Sequence, residues 1–185
     1  MRVLVVTSQF PLPGDLQRGR AVFQTVLHLA RIATVAVVSP VATYPLRFRP
    51  RSYTYHAAPE GLDAGVPVRY VKFPVLPGLS RPWNGWLCAR ALSSEIEKNS
   101  ADVILSFWLY PDAYGALQVA RQQGIPLVAG ARGSDLRTRD PISRRMARQV
   151  VRHADRLLVV SRDLQRIAVE RDGARPDRIT VIANG

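Results

Sequence analysis

The sequence predicts an α/β fold: three αβα layers around a parallel sheet. Two observations lead there. Short β-branched runs such as Val3 to Val6 and Val35 to Val38 are apolar at every position, as strands covered on both faces must be. Helical segments alternate with those runs along the whole chain, which is the pattern of βαβ crossover units.

The elements follow in order. Val3 to Val6 is the first strand. An export signal would also begin with a basic residue and an apolar run, but Gln9, Pro11, Pro13 and Asp15 interrupt the run early, so a strand is the better reading. Phe23, Val26, Leu27 and Ala30 recur at helical spacing and place a crossover helix over residues 20 to 31. Val35 to Val38 is the second strand, and Ser39 to Val66 reads as an irregular, proline-rich binding loop or lid in which Arg47, Arg49 and Arg51 interleave with aromatic residues. Val68 to Phe73 is a strand. Trp83 to Lys98 is a helix with Trp83, Leu87, Cys88, Leu92 and Ile96 near one side. Val103 to Ser106 and Pro126 to Ala129 are strands joined by a helix from Asp112 to Gln123 that Gly124 stops. A helix over Ile142 to Arg152, a strand at Leu157 to Val160, a helix from Arg162 capped by Ser161, and a strand at Ile179 to Ile182 complete the order.

At 185 residues with 47% apolar composition, the chain reads as one domain, residues 1–185. It stops just after a buried-looking strand, which reads as a cut at a domain boundary. A lone cysteine, Cys88, excludes an intrachain disulfide framework and fits a reducing compartment. The net charge of +12 is carried by arginine, since Lys72 and Lys98 are the only lysines. Arginine suits phosphate, carboxylate and lipid headgroups. The charge alone does not choose among partners, but without a basic recognition helix or a stacking pair, no specific nucleic acid is expected.

The candidate site lies at strand ends, where open α/β sheets bind ligands. Gly14 and Gly19, in the loop before the first helix, allow close backbone approach, but the dinucleotide and P-loop spacings are absent. Gly133, Ser134 and Asp135 supply a donor and an anionic acceptor; position alone leaves open whether Asp135 only caps a turn. Arg132 can pair with Asp135 or hold an anionic ligand. Trp108 and Tyr110 can stack on a sugar or lipid, although aromatics in such a turn more often pack the helix beneath, and Asp112 is placed to cap its helix. Arg144, Arg148 and Arg152 stand four apart on one helical face; a solvated face is the default, and a neighbour that offsets their repulsion is the alternative. Trp83 and Trp86, beside Arg81 and Arg90, suit a membrane surface, although core packing of at least one is the default. His28, His56 and His153 lack metal-ligand spacing.

Several motifs together carry a resemblance: Val3-Leu-Val-Val-Thr-Ser-Gln-Phe-Pro11, Arg18-Gly19 followed by Phe23, Phe107-Trp-Leu-Tyr-Pro-Asp112, Gly124-Ile-Pro126, Gly133-Ser-Asp135, Val159-Val-Ser-Arg-Asp-Leu164 and Val181-Ile-Ala-Asn-Gly185. In this order they resemble the N-terminal half of the family 4 glycosyltransferases, which are retaining, two-domain enzymes of GT-B architecture. The resemblance implies a Rossmann-like acceptor-side domain whose C-terminal donor-binding partner is absent from this chain, so that the isolated domain is inactive. It implies Arg132 and Asp135 as catalytic positions, and Gly14, Gly19, Gly133, Ser134, Ser161 and Arg162 as substrate-binding positions; Trp108 and Tyr110 join the substrate-binding set on their own stacking chemistry. Asn184 and Gly185 would shape the entrance to the interdomain linker. The family's usual histidine before Gly-Ser-Asp is replaced by Arg132: either the arginine takes over an electrostatic role, or substrate and activity differ.

The implied substrates are a nucleotide sugar and a glycan or glycolipid acceptor. Transfer is implied to need no metal or other cofactor and to proceed on the front face with help from the donor phosphate. The implied location is cytoplasmic, with peripheral attachment to the anionic inner face of the plasma membrane. The rival reading is a stand-alone sugar- or nucleotide-binding module without transferase activity.

Overall fold

The computed structural model describes residues 1–12, 17–45 and 65–183. Seven strands form one parallel sheet: β1 (Arg2–Val6), β2 (Thr34–Thr43), β3 (Val68–Pro74), β4 (Val103–Phe107), β5 (Leu127–Ala131), β6 (Arg156–Val159) and β7 (Ile179–Val181). Their order is β3-β2-β1-β4-β5-β6-β7, so the chain reverses direction across the sheet between β1 and β4. The helices are α1 (Arg20–Leu29), α2 (Asn84–Asn99), α3 (Tyr114–Gln123), α4 (Pro141–His153) and α5 (Arg162–Glu170).

Right-handed crossovers decide which face each helix covers. The step from β1 to β2 places α1 on one face, where Val22 and Val26 meet Val3, Val5, Val35 and Val37. The steps from β3 onward run the opposite way across the sheet and put α2 to α5 on the other face, over Leu4, Ile104, Leu127 and Leu157. The second face therefore holds the larger core, while α1 leaves the β5 to β7 half of its own face partly open.

Local chemistry accounts for the helix ends. Gly124 ends α3 at φ 68°, a left-handed conformation suited to glycine. Asp140 caps α4 by accepting the Ser143 N–H at 2.7 Å, and Ser161 caps α5 by accepting the Leu164 N–H, as expected.

Several expectations are corrected. The segment after Val38 does not begin a loop: β2 continues through Pro40 to Thr43, pairing with β3. Proline is tolerated because β1 has already ended opposite Val38, so no ladder bond is lost on that side. Arg47, Arg49 and Arg51 lie outside the described residues. Trp83 and Trp86 are both exposed, at 60% and 56%, because Cys88, Leu92 and Ile96 occupy the buried side of α2. The arginines of α4 are drawn to the buried Asp172: the Arg148 Nε lies 3.5 Å from its carboxylate, and Arg152 donates to its carbonyl at 3.0 Å. Arg144 remains exposed, so this helix is an internal clamp more than a free basic face.

Candidate functional site

The ends of β1, β4, β5 and β6 converge beside the β1/β4 reversal, the position where open parallel sheets place their ligands. Two cavities open there. The larger, of about 830 Å³, lies between α1 and the open sheet face and is lined by Gln24, Thr25, His28, Phe107, Gly130, Arg132 and Val160. The smaller, of about 300 Å³ and more polar, is lined by Arg81, Asn84, Trp108, Tyr110, Ser134, Asp135, Thr138 and Asp140.

Arg132 belongs to the larger cavity. Its guanidinium lies over the Phe107 ring, 5.2 Å from the centroid, and donates weakly to Thr25 Oγ1 at 3.4 Å. Its Nε is buried and without a partner, and burial lowers its pKa. A cation desolvated this way gains from any anionic group that enters beside it. The stacking depends on Gly130: a Cβ there would come within 2.4 Å of the Phe107 ring. A glycine inside an apolar strand signals such a close approach.

Asp135 points elsewhere. One carboxylate oxygen accepts the backbone N–H groups of Arg132 (3.2 Å), Gly133 (3.0 Å) and Leu136 (3.1 Å), and the other is buried without a partner beside the smaller cavity. Burial raises its pKa, opposed by those backbone donors. The side chain thus organises the β5 loop as a turn cap. Arg132 and Asp135 form no side-chain pair despite being three residues apart. Gly133, at φ 128°, lets the chain turn between them.

The other expected positions divide. Ser134 and Trp108 line the smaller cavity; Trp108 adopts φ 75°, a left-handed conformation that costs a non-glycine residue about 1–3 kcal/mol. Tyr110 also lines it, but its hydroxyl is committed to α2, donating to the Arg81 carbonyl and accepting the Gly85 N–H at 3.2 Å, so it braces the pocket wall. Gly19 sits at φ 63° with its Cβ position only 2.0 Å from the Gln9 carbonyl oxygen, so glycine is required there to close the β1–α1 loop on itself. Gly14 lies outside the described residues, as do Asn184 and Gly185. Ser161 is occupied as a cap, and Arg162 is exposed beyond β6.

Asp112 does not cap its helix. It is fully buried, accepts the Ser8 N–H at 2.6 Å and so ties the β1 loop to the end of β4. Burial pushes its pKa up to about 7, against the lowering effect of the Ser8 bonds and Arg18. Sequence reasoning missed Thr25, Phe107, Gly130, Arg81, Asn84 and Asp140 as parts of the site; apart from Gly130, they carry no local signal because distant elements bring them there. Among the described residues no three His, Cys, Asp or Glu side chains converge to hold a metal, and no helix is long and apolar enough to cross a membrane.

The family model described as Glycosyltransferase Family 4 matches residues 19–185. Solved structures share the fold. UDP-GlcNAc 2-epimerase from Neisseria meningitidis bound to UDP-GlcNAc is 17% identical with a TM-score of 0.60, covering 100% of this chain and 47% of that one. HepE from Anabaena in complex with UDP is 18% identical with a TM-score of 0.60, covering 100% and 44%. Sucrose-phosphate synthase from Thermosynechococcus elongatus is 12% identical with a TM-score of 0.65, covering 98% and 47%. The chain therefore spans less than half the length of these proteins. No curated protein matches it.

Proposed function

The chain belongs to glycosyltransferase family 4, and from that premise we propose that it is the acceptor-side domain of a two-domain enzyme transferring a sugar from a nucleotide-sugar donor. The observation that carries this reading is Arg132: a half-buried guanidinium with an unpartnered Nε, stacked on Phe107 and facing a cavity of about 830 Å³ beside the sheet's reversal point. A diphosphate or its developing charge satisfies that group. The likenesses to HepE in complex with UDP and to an epimerase bound to UDP-GlcNAc support a nucleotide-sugar donor. Since one fold hosts several chemistries, the family match favours transfer over a binding-only module.

In this proposal the smaller cavity receives the acceptor, a glycan or a lipid-linked glycan. Asp135 holds the loop that separates the two cavities, Ser134 offers a hydroxyl to the acceptor, and Trp108 offers a ring face. The bond from the anomeric carbon to the donor phosphate breaks, the acceptor oxygen bonds to that carbon on the same face, and its proton passes to the leaving phosphate. No metal or cofactor takes part. The chain alone does not transfer sugar, because the second domain supplies most of the donor site. The enzyme works peripherally on an anionic membrane surface, drawn there by its basic charge.

The test is transfer from a panel of nucleotide sugars by a polypeptide that joins this domain to its donor-binding partner. Arg132→Ala is expected to lower kcat/KM by about a hundredfold or more, and Asp135→Asn by less, since its amide oxygen still accepts the loop amides. Absence of transfer from every donor, or full activity of Arg132→Ala, refutes the proposal.

A further inference from the structure

We propose that the turn from Leu76 to Trp83, together with the first two turns of α2, is a docking surface for an anionic lipid bilayer. The inference rests on the peripheral-membrane part of the reading above and names the surface that would carry it. Between residues 76 and 86 four large apolar side chains are exposed: Leu76 at 44%, Leu79 at 73%, Trp83 at 60% and Trp86 at 56%. Such a cluster is uncommon on a surface that meets only water.

The cluster stands on an ordered turn. Ser80 is buried; its hydroxyl accepts the Leu76 N–H at 2.7 Å and donates to Asn84 Oδ1 at 2.8 Å, while its carbonyl accepts the Trp83 N–H at 2.9 Å. Trp83, Trp86 and Arg90 follow at three- and four-residue steps and share one helical stripe, opposite the buried Cys88, Leu92 and Ile96. The aromatic residues are thus presented outward by the same packing that buries the other side of α2.

Charge selects the partner. No acidic residue occurs between Asp63 and Glu95, while Arg69, Lys72, Arg81 and Arg90 do. Arg90 lies over the Trp86 ring, 5.7 Å from its centroid, and Arg81 pairs with Asp140 at 3.2 Å. Glu97, the first acid on the tryptophan stripe, lies about three turns beyond Trp86. An indole seated at headgroup level with a guanidinium on the phosphates is how aromatic, basic helices bind anionic membranes. A protein partner is the less favoured occupant, because the acid that meets this surface, Asp140, is already paired with Arg81. Arg81 and Asn84 also line the smaller cavity, so docking would bring its mouth to the bilayer, where a lipid-linked acceptor presents its sugar.

The test is cosedimentation of the 185-residue chain with vesicles of phosphatidylcholine alone or mixed with phosphatidylglycerol, and quenching of tryptophan emission by brominated lipids in a Trp108→Phe background. Binding to the anionic vesicles and quenching of Trp83 and Trp86 are expected. Trp83→Ala with Trp86→Ala should weaken binding at least tenfold without moving the urea midpoint, and Arg90→Glu should weaken it about tenfold at low salt. Undiminished binding by the tryptophan double variant, or anionic-vesicle binding without quenching, overturns this surface and leaves membrane association standing. Failure to bind any vesicle overturns both. The transfer assay reads the enzymatic proposal separately. Should the double variant fold poorly, quenching in the chain that retains Trp83 and Trp86 still decides.

Discussion

Asp112 makes the stability of this domain depend on pH in a direction opposite to that of most carboxylates. Its folded-state pKa is raised from 3.8 to about 7 by complete burial. Between those values the unfolded chain has lost the proton that the folded chain keeps, so stability falls as pH rises. Below 3.8 both states are protonated and the penalty vanishes; above 7 it is complete, at roughly 4 kcal/mol. From pH 5 to pH 8 the same relation gives a loss of about 2–3 kcal/mol from this one group. Asp112→Asn keeps an oxygen to accept the Ser8 N–H and removes the ionisation. Urea unfolding followed by tryptophan fluorescence at several pH values should show the variant gaining on the parent by about 2–3 kcal/mol over that range. The difference curve isolates Asp112 from Asp135, whose burial acts in the same direction. A difference that is flat with pH, or that shrinks as pH rises, refutes the reasoning.

Two further perturbations test the architecture of the site and its support. Asp172→Ala leaves Arg148 and Arg171 without their buried carboxylate and should destabilise by about 3–5 kcal/mol in the same urea assay, while Arg144→Ala, exposed on the same helix, should stay within about 0.5 kcal/mol. Equal effects would sink the clamp described for α4. Gly130→Ala forces the Phe107 ring to move and should cost about 1–3 kcal/mol while removing the platform beneath Arg132. Urea unfolding measures the first effect, and a rise in the nucleotide Kd of the two-domain polypeptide reports the second. An unchanged midpoint would mean that the ring relaxes freely.

The α/β class, the order of strands and helices, the family resemblance and the Ser161 cap were legible because they depend on short-range patterns: apolar runs, helical periodicity and capping chemistry within a few residues. The extent of β2 was not legible, because Pro40 is acceptable only where β1 has ended, and that depends on register between strands. The site divides along the same line. That polar residues gather at strand ends follows from the alternation of elements, but the direction of each side chain does not. Arg132 and Asp135 sit three residues apart, and Gly133 sends them into different cavities. Tyr110, open to either stacking on a ligand or packing a helix, is committed to α2, and Asp112, read as a helix cap, is committed to Ser8. The sequence by itself determined which segments become strands and helices and where a ligand crevice must open. Only the tertiary structure decided which groups meet there, since contacts such as Ser8 with Asp112 join residues 104 positions apart, and burial of the carboxylate arises from that closure.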